Sequence, residues 1–140
     1  MKHYFTDNTD LKSEQSQFIF RFHKYDLLFT SDNGVFSKSM IDYGSRVLLD
    51  NIEITNEKTL LDVGCGYGTF GICLNKVYLH LNVDMVDVND RALELAKLNA
   101  KNNNVHANIY KSFIYENVQG SYDVIVTNPP VRAGKEVVTT

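Results

Sequence analysis

The most constraining feature of this sequence is a short segment with glycines at alternate positions, Gly64, Gly66 and Gly68. An apolar run, residues 59–63, leads into it, and a stretch compatible with a helix follows it. This order predicts a buried strand, a tight glycine loop and the first turn of a helix, a geometry that binds small polar ligands at the end of a parallel strand. Glycine suits such a loop because it adopts backbone angles that other residues avoid and lets a ligand approach the main chain.

The chain around this loop alternates strands and helices. Further strands are predicted at residues 83–88, 106–111 and 122–127, and helices are predicted at residues 69–77 and 90–102. In the second helix the apolar face also carries Asn99. This alternation predicts an α/β fold with a doubly wound, mostly parallel sheet, in which ligands lie beyond the carboxyl ends of the strands.

The N-terminal part predicts a β-hairpin and a helix ahead of this sheet. Phe18, Phe20 and Phe22 alternate as in a half-buried strand, and residues 27–29 supply the second strand. A helix is expected to begin near residue 37 or 39 and to end near residue 51. Residues 1–16 are expected to be loosely ordered, and residues 17–140 to form one domain.

Composition and charge narrow the functional classes. The 140 residues include 14 basic and 17 acidic side chains, so a net charge of −3 excludes a protein-wide attraction to nucleic acid and leaves only a local basic patch open. The N-terminus lacks the apolar core of a signal peptide, and no apolar run approaches the ~20 residues of a membrane span. Cys65 and Cys73 have no histidine or cysteine at metal-ligand spacing, so we expect free thiols in a reducing cytoplasm, with no metal site.

Acidic residues near the predicted strand ends indicate which cofactor the loop binds. Asp87 ends an apolar strand, where its carboxylate can accept hydrogen bonds from ribose hydroxyls, whereas Asp84 is expected to be structural. The loop with Gly71 also fits the pattern of dinucleotide enzymes. However, Asp62 precedes the loop by two residues, where it would repel a pyrophosphate but suits the ammonium and sulfonium groups of S-adenosylmethionine. The sequence therefore favours S-adenosylmethionine.

The only two prolines of the chain, Pro129 and Pro130, follow Asn128 at the end of the last predicted strand. Proline fixes its own φ and holds the preceding residue extended, so Asn128 is expected to be aimed rigidly. Its side-chain carbonyl and the local backbone carbonyls can accept hydrogen bonds from an exocyclic amine and stabilise the positive charge that arrives with a methyl group. Asn128, Pro129 and Pro130 are therefore the predicted catalytic residues of an amine methylation.

Three segments of the chain resemble class I S-adenosylmethionine-dependent methyltransferases, and more closely the small-subunit ribosomal RNA guanine-N2 methyltransferase group. They are residues 34–37, 61–68 and 127–135. The glycine loop is typical of the whole superfamily. The Asn-Pro-Pro segment indicates members that methylate amines or amides. The remaining residues of the three segments indicate the guanine-N2 group. The resemblance covers roughly residues 17–138 and implies a Rossmann-like sheet.

The resemblance also implies roles for individual residues. Asp62, Gly64 and Gly66 would hold the methionine part of the cofactor, Asp87 the ribose, and Val88 the adenine. Together, the expected cofactor-binding residues are Phe36, Asp62, Gly64, Cys65, Gly66, Asp87, Val88 and Asn128. Phe36 fits a core aromatic residue equally well. Arg132 and Lys135 are expected to contact RNA phosphates, although they also fit solvated surface cations.

The sequence departs from this group in two places. Phe113 stands where many relatives have an acidic residue near the adenine amino group, so stacking or a backbone contact is expected to hold the adenine. The chain ends at Thr140, where the family sheet continues with a helix and about three more strands. The sheet is therefore expected to be truncated after its fourth core strand, with the flank of that strand exposed. A fragment of a longer protein is favoured over a short form that needs a partner.

The expected activity is direct in-line transfer of a methyl group from S-adenosylmethionine to the exocyclic amine of a guanine in ribosomal RNA. The expected partner is ribosomal RNA or a ribosomal subunit. Three alternatives remain open: methylation of a glutamine side-chain amide in a protein, a non-catalytic cofactor-binding fragment, and a nicotinamide-dependent dehydrogenase. The hairpin, with Arg132 and Lys135, favours RNA over a protein substrate. The intact segment at Asn128 argues against a non-catalytic role for the parent protein.

Overall fold

The described part of the chain comprises residues 15–32, 43–127 and 136–139 of a computed structural model. In chain order its elements are β1 (Gln15–Phe22), β2 (Tyr25–Asp32), α1 (Tyr43–Asn51), β3 (Thr59–Val63), α2 (Thr69–Val77), β4 (Asn82–Asp87), α3 (Asp90–Asn102), β5 (Asn108–Lys111), β6 (Val124–Thr127) and β7 (Glu136–Thr139). These elements form a two-stranded hairpin and a five-stranded sheet.

The larger sheet has the strand order β5-β4-β3-β6-β7, and its first four strands are parallel. β3 lies at the centre, with Val63 opposite Val86 of β4 and opposite Thr127 of β6. Its side chains alternate between the two faces of the sheet. Leu60 belongs to the main core, which contains residues of α2, α3 and the hairpin, and Leu61 belongs to a smaller core on the other face. The predicted α/β fold with a mostly parallel, Rossmann-like sheet is confirmed.

The predicted N-terminal hairpin is also confirmed, because β1 and β2 pair antiparallel along their whole length. Phe22 is buried, and Phe18 and Phe20 are half-buried against the main core. Ile19, between two of these phenylalanines, is 60% exposed. This alternation is what a strand with one face on the core requires.

Several predicted boundaries need small corrections. β4 ends one residue earlier than predicted, so Val88 follows the strand, and β5 and β6 each begin two residues later than predicted. β1 begins at Gln15, so the predicted boundary between residues 1–16 and 17–140 falls inside a strand. The predicted bounds of β3, α2 and α3 are confirmed. α1 spans the C-terminal part of its predicted helix, and the part before residue 43 lies outside the described residues.

The expectation of an exposed flank on the fourth core strand is wrong. β7 pairs antiparallel with β6, from Val124 opposite Thr139 to Thr127 opposite Glu136. Three of the four residues of β7 are the β-branched residues valine and threonine, which favour extended structure. Within the described residues, the edges of the sheet are therefore β5 and β7.

Candidate functional site

The glycine loop connects β3 to α2 in the way the sequence predicts. Gly64, Gly66 and Gly68 have φ values of 75°, 59° and 98°, in a region that is strained for residues with a side chain. The loop begins at the carboxyl end of β3. There the N–H groups of Gly64 and Cys65 both donate hydrogen bonds to the Val86 carbonyl of β4, at 2.9 and 3.0 Å. The loop backbone is thereby held against the end of β4.

The Asp87 carboxylate joins this loop to the end of β4. Its Oδ2 accepts a hydrogen bond from the Gly66 N–H (2.8 Å), and its Oδ1 accepts one from the Asn89 N–H (3.0 Å). A carboxylate has about four acceptor positions, so the two backbone donors leave an acceptor position on each oxygen. Asp87 is half-buried rather than enclosed. These remaining positions fit the paired hydroxyls of a ribose.

Asp62 and Cys65 are less exposed than Asp87. Asp62 is fully buried in β3, two residues before the loop. Cys65 is 4% exposed and belongs to the main core, so its thiol is enclosed. Cys65 and Cys73 are free thiols, as predicted. Burial raises the pKa of the Cys73 thiol, which favours the neutral form of this core residue.

Two exposed apolar side chains belong to segments that adjoin Asp87. Val88 follows Asp87 in the chain and is 50% exposed, and Phe113, in the loop that follows β5, is 64% exposed. The Ser112 N–H donates to the Asp87 carbonyl (3.0 Å), so this loop begins next to the candidate ribose-binding residue. Ile114 has a φ of 55°, which is unfavourable for a β-branched residue. Val88 and Phe113 are therefore accessible apolar residues in the two segments that meet at Asp87.

Asp84 is structural, as predicted, although it lies in the same strand as Asp87. Its Oδ1 accepts a hydrogen bond from Asn108 Nδ2 (2.9 Å), and its Oδ2 accepts one from the Tyr122 hydroxyl. These contacts connect β4 to β5 and to the segment before β6. Asp84 therefore provides a natural comparison with Asp87.

Six of the predicted site residues lie outside the described residues. They are Phe36, Asn128, Pro129, Pro130, Arg132 and Lys135. The strand that precedes Asn128 is described, and its last residue, Thr127, is the register partner of Val63. Val63 in turn directly precedes the glycine loop.

The sequence reasoning missed two residues that shape the glycine loop. Tyr67 is 8% exposed, and its ring lies against Phe18 and Phe29 of the hairpin. Asn99 of α3 donates from Nδ2 to the Tyr67 carbonyl at 2.8 Å. A polar residue on the apolar face of a helix was the available signal for Asn99, but its partners are too distant in sequence to be inferred.

Neither a membrane-spanning helix nor a metal-binding cluster occurs among the described residues. Within residues 15–32, 43–127 and 136–139, no helix has the length and apolar character needed to cross a membrane. The same residues contain no group of three or more histidine, cysteine or acidic side chains arranged to hold a metal ion.

A parallel sheet whose central strand opens into a glycine loop, with a carboxylate at the end of the next strand, defines the class of Rossmann-like domains that bind nucleoside cofactors. Within that class, the chain belongs to the Methyltransferase small domain family, whose sequence profile matches residues 26–140.

Two relatives are similar in sequence to most of the chain. The chain is 43% identical to YbxB of Bacillus subtilis over 98% of its own length and 70% of that protein. It is 36% identical to ribosomal RNA small subunit methyltransferase C of Psychromonas ingrahamii, over 73% of the chain and 29% of the relative. The match thus spans less than a third of the length of this larger relative.

A solved structure is similar over most of the chain. The T. thermophilus 16S rRNA N2 G1207 methyltransferase (RsmC), in complex with AdoMet and guanosine, superposes with a TM-score of 0.76 and 26% sequence identity. The match covers 89% of this chain and 35% of that one.

Proposed function

We propose that this chain is an S-adenosylmethionine-dependent methyltransferase domain that modifies the exocyclic amine of a guanine in small-subunit ribosomal RNA. The observation that carries the proposal is the junction of Asp87 with Gly66 at the carboxyl ends of β3 and β4. The family membership and the names of the larger relatives support the reaction and the substrate.

The proposed cofactor site has three parts, which bind the ribose, the adenine and the methionine part of the cofactor. Asp87 binds the ribose through the acceptor positions that Gly66 and Asn89 leave open. Val88 provides an apolar surface for the adenine, and Phe113 adds a stacking surface in place of the acidic residue of many relatives. The positive φ values of Gly64 and Gly66 support a role in holding the methionine part, with Asp62 and the Cys65 backbone beside them. Phe36 would complete the site.

The proposed chemistry uses one cofactor, S-adenosylmethionine, together with carbonyl groups of the protein. Bound S-adenosylmethionine would supply an electrophilic methyl group and leave as S-adenosylhomocysteine, and the methylated amine would lose one proton to solvent. The Asn128 side-chain carbonyl and the backbone carbonyl of Pro129 accept hydrogen bonds from the target amine, orient its lone pair and favour the positive charge that develops there. Pro130 restricts the backbone of this acceptor pair. The pairing of Thr127 with Val63 supports this assignment, because it brings the start of the segment to the glycine-loop end of the sheet.

The proposed partner is ribosomal RNA, alone or within the small subunit, with Arg132 and Lys135 contacting its phosphates. We further propose that the protein acts in the cytoplasm, where ribosomal RNA is found and where its two free cysteines stay reduced.

The test is methyl transfer from radiolabelled S-adenosylmethionine to small-subunit ribosomal RNA, offered both naked and in subunits, followed by nucleoside mass spectrometry. We expect N2-methylguanosine with the wild-type chain and a rate lower by about a hundredfold or more with Asn128→Ala. Asn56→Ala, which changes an exposed asparagine in the connector before β3, serves as the matched control and should keep the wild-type rate.

Two outcomes would contradict this proposal. Label in a glutamine side chain of a protein factor, with none in RNA, would support the amide-methylating alternative. Saturable binding of S-adenosylhomocysteine with no transfer to RNA or protein would identify a cofactor-binding module without turnover.

A further inference from the structure

The Asn99 side chain of α3 makes three hydrogen bonds inside the protein. It is fully buried, and its Oδ1 accepts a hydrogen bond from the Thr30 N–H at 2.9 Å. Its Nδ2 donates to two carbonyls, that of Thr30 at 3.0 Å and that of Tyr67 at 2.8 Å. One amide therefore connects the hairpin strand β2 to the glycine loop.

Asn103, one helical turn later, makes the same kind of contact with the hairpin. Its Oδ1 accepts from the Leu28 N–H (3.0 Å), and its Nδ2 donates to the Leu28 carbonyl (2.8 Å). Four residues of an α-helix rise about 6.0 Å, and two residues of a strand rise about 6.6 Å. The two asparagines therefore match alternate residues of β2 and form hydrogen bonds along the edge of β2 that no described strand pairs with.

The two asparagines differ in their relation to the glycine loop. Tyr67, whose carbonyl Asn99 holds, stands between Gly66 and Gly68, and the Gly66 N–H is the donor to Asp87. α3 also packs closely on Gly68, since a Cβ at this position would lie 3.3 Å from the Ala96 Cβ. Asn103 bonds to the hairpin and to the Asn99 carbonyl, and neither contact involves the loop.

The hairpin reaches the same loop residue from its other side. The Tyr67 ring meets Phe18 edge-on at 6.2 Å and Phe29 at 6.4 Å between ring centroids. Tyr67 is thus held by aromatic contacts through its ring and by Asn99 through its backbone. A change in the docking of the hairpin would therefore be transmitted to the loop backbone.

We propose that Asn99 is a positioning residue for the cofactor loop, which couples docking of the N-terminal hairpin to binding of the cofactor. Asn99 fixes the Tyr67 carbonyl and so maintains the orientation of the adjacent Gly66 N–H toward Asp87. This inference rests on the proposed function, because it assigns Asn99 to the same cofactor site.

The experiment compares Asn99→Ala with Asn103→Ala by calorimetric titration of S-adenosylhomocysteine into the full 140-residue chain. Each substitution removes two hydrogen bonds to β2, one donated and one accepted by the side-chain amide, so both should lower the unfolding temperature. At a temperature where all variants are folded, we expect the dissociation constant to rise about tenfold for Asn99→Ala, and by less than about twofold for Asn103→Ala. The amide NMR signals of Gly66 and Gly68 should shift only in Asn99→Ala.

Asn99→Ser leaves a hydroxyl in the buried space and gives the same comparison if Asn99→Ala does not fold. Equal affinities for the Asn99 and Asn103 variants, with the wild type binding, would overturn the inference and leave the proposed function standing. Absence of binding by the folded wild-type chain would overturn the proposed function itself, and this inference with it.

Discussion

Glycines in the segment around β3 and α2 are present for two different physical reasons. Gly64, Gly66 and Gly68 have positive φ values, which the turn from strand to helix requires. Gly71 lies inside α2, where a Cβ would come within 2.4 Å of the Met85 sulfur and 3.3 Å of Val83 Cγ1. The sequence pattern predicted the loop, but it could not separate the loop glycines from a packing glycine, because that distinction depends on contacts with β4.

We predict that Gly71→Ala destabilises the protein by about 1–3 kcal/mol, because the added methyl group forces the buried Met85 side chain to move. Urea unfolding followed by circular dichroism measures this change. Gly120→Ala is the control, since a Cβ at Gly120 meets nothing within 4 Å and the substitution costs only the strain of its positive φ, about 1 kcal/mol. A smaller loss for Gly71→Ala than for Gly120→Ala would show that α2 does not pack on β4 this closely.

The contact between Tyr122 and Asp84 predicts a pH dependence of stability. The pKa of Tyr122 is raised, first because its hydroxyl is partly buried and then because it donates a hydrogen bond to Asp84. Folding therefore favours the protonated tyrosine. This contribution is complete below about pH 10, the ordinary tyrosine value, and is lost as the pH rises toward the higher pKa of the folded state.

We therefore expect Tyr122→Phe to make the fall in unfolding free energy above about pH 10 less steep than in the wild type. Urea unfolding at a series of alkaline pH values measures this slope. Tyr115→Phe, at a tyrosine that is 49% exposed, is the control substitution. Equal slopes for the wild type and Tyr122→Phe would contradict the described environment of Tyr122.

Helix α3 shows which properties of an element the sequence determines locally. Its predicted bounds are confirmed, and Asn89 caps it by accepting a hydrogen bond from the Ala92 N–H at 3.0 Å. The docking of the hairpin on this helix could not be predicted in the same way. It depends on bonds from Asn99 and Asn103 to residues about seventy positions earlier, and no local pattern encodes such partners.

We predict that Asn89→Ala lowers the free energy of unfolding by about 1 kcal/mol, because the first turn of α3 loses its side-chain cap. Asn89→Asp retains an acceptor for the Ala92 N–H and should restore most of the stability. Guanidinium unfolding of the three proteins gives the comparison. An alanine variant as stable as the wild type would mean that this cap contributes nothing.

The arrangement of the whole molecule follows from the central position of β3. Its neighbours β4 and β6 pair with it on both sides, and Leu60 and Leu61 are fully buried on opposite faces. The alternation of strands and helices predicted this parallel arrangement. The antiparallel partner β7 was not predicted, because a segment of four residues is too short to show a periodic pattern in the sequence.

Hydrogen exchange should reflect this arrangement. We expect the amides of β3 to exchange most slowly in the described sheet and those of the edge strand β5 to exchange faster, because edge strands open without disrupting the core. Mass spectrometry of peptides from timed deuterium labelling measures both. Faster exchange in β3 than in β5 would contradict the strand order.

The central claim is that Asp87 and the glycine loop form a binding site for the nucleoside part of S-adenosylmethionine. The most direct measurement is calorimetric titration of S-adenosylhomocysteine into the wild-type chain, Asp87→Ala and the matched control Asp84→Asn, with folding checked by circular dichroism. We expect saturable binding by the wild type and by Asp84→Asn, and loss of binding in Asp87→Ala. Binding by a folded Asp87→Ala variant with wild-type affinity, or no binding by the folded wild type, would contradict it.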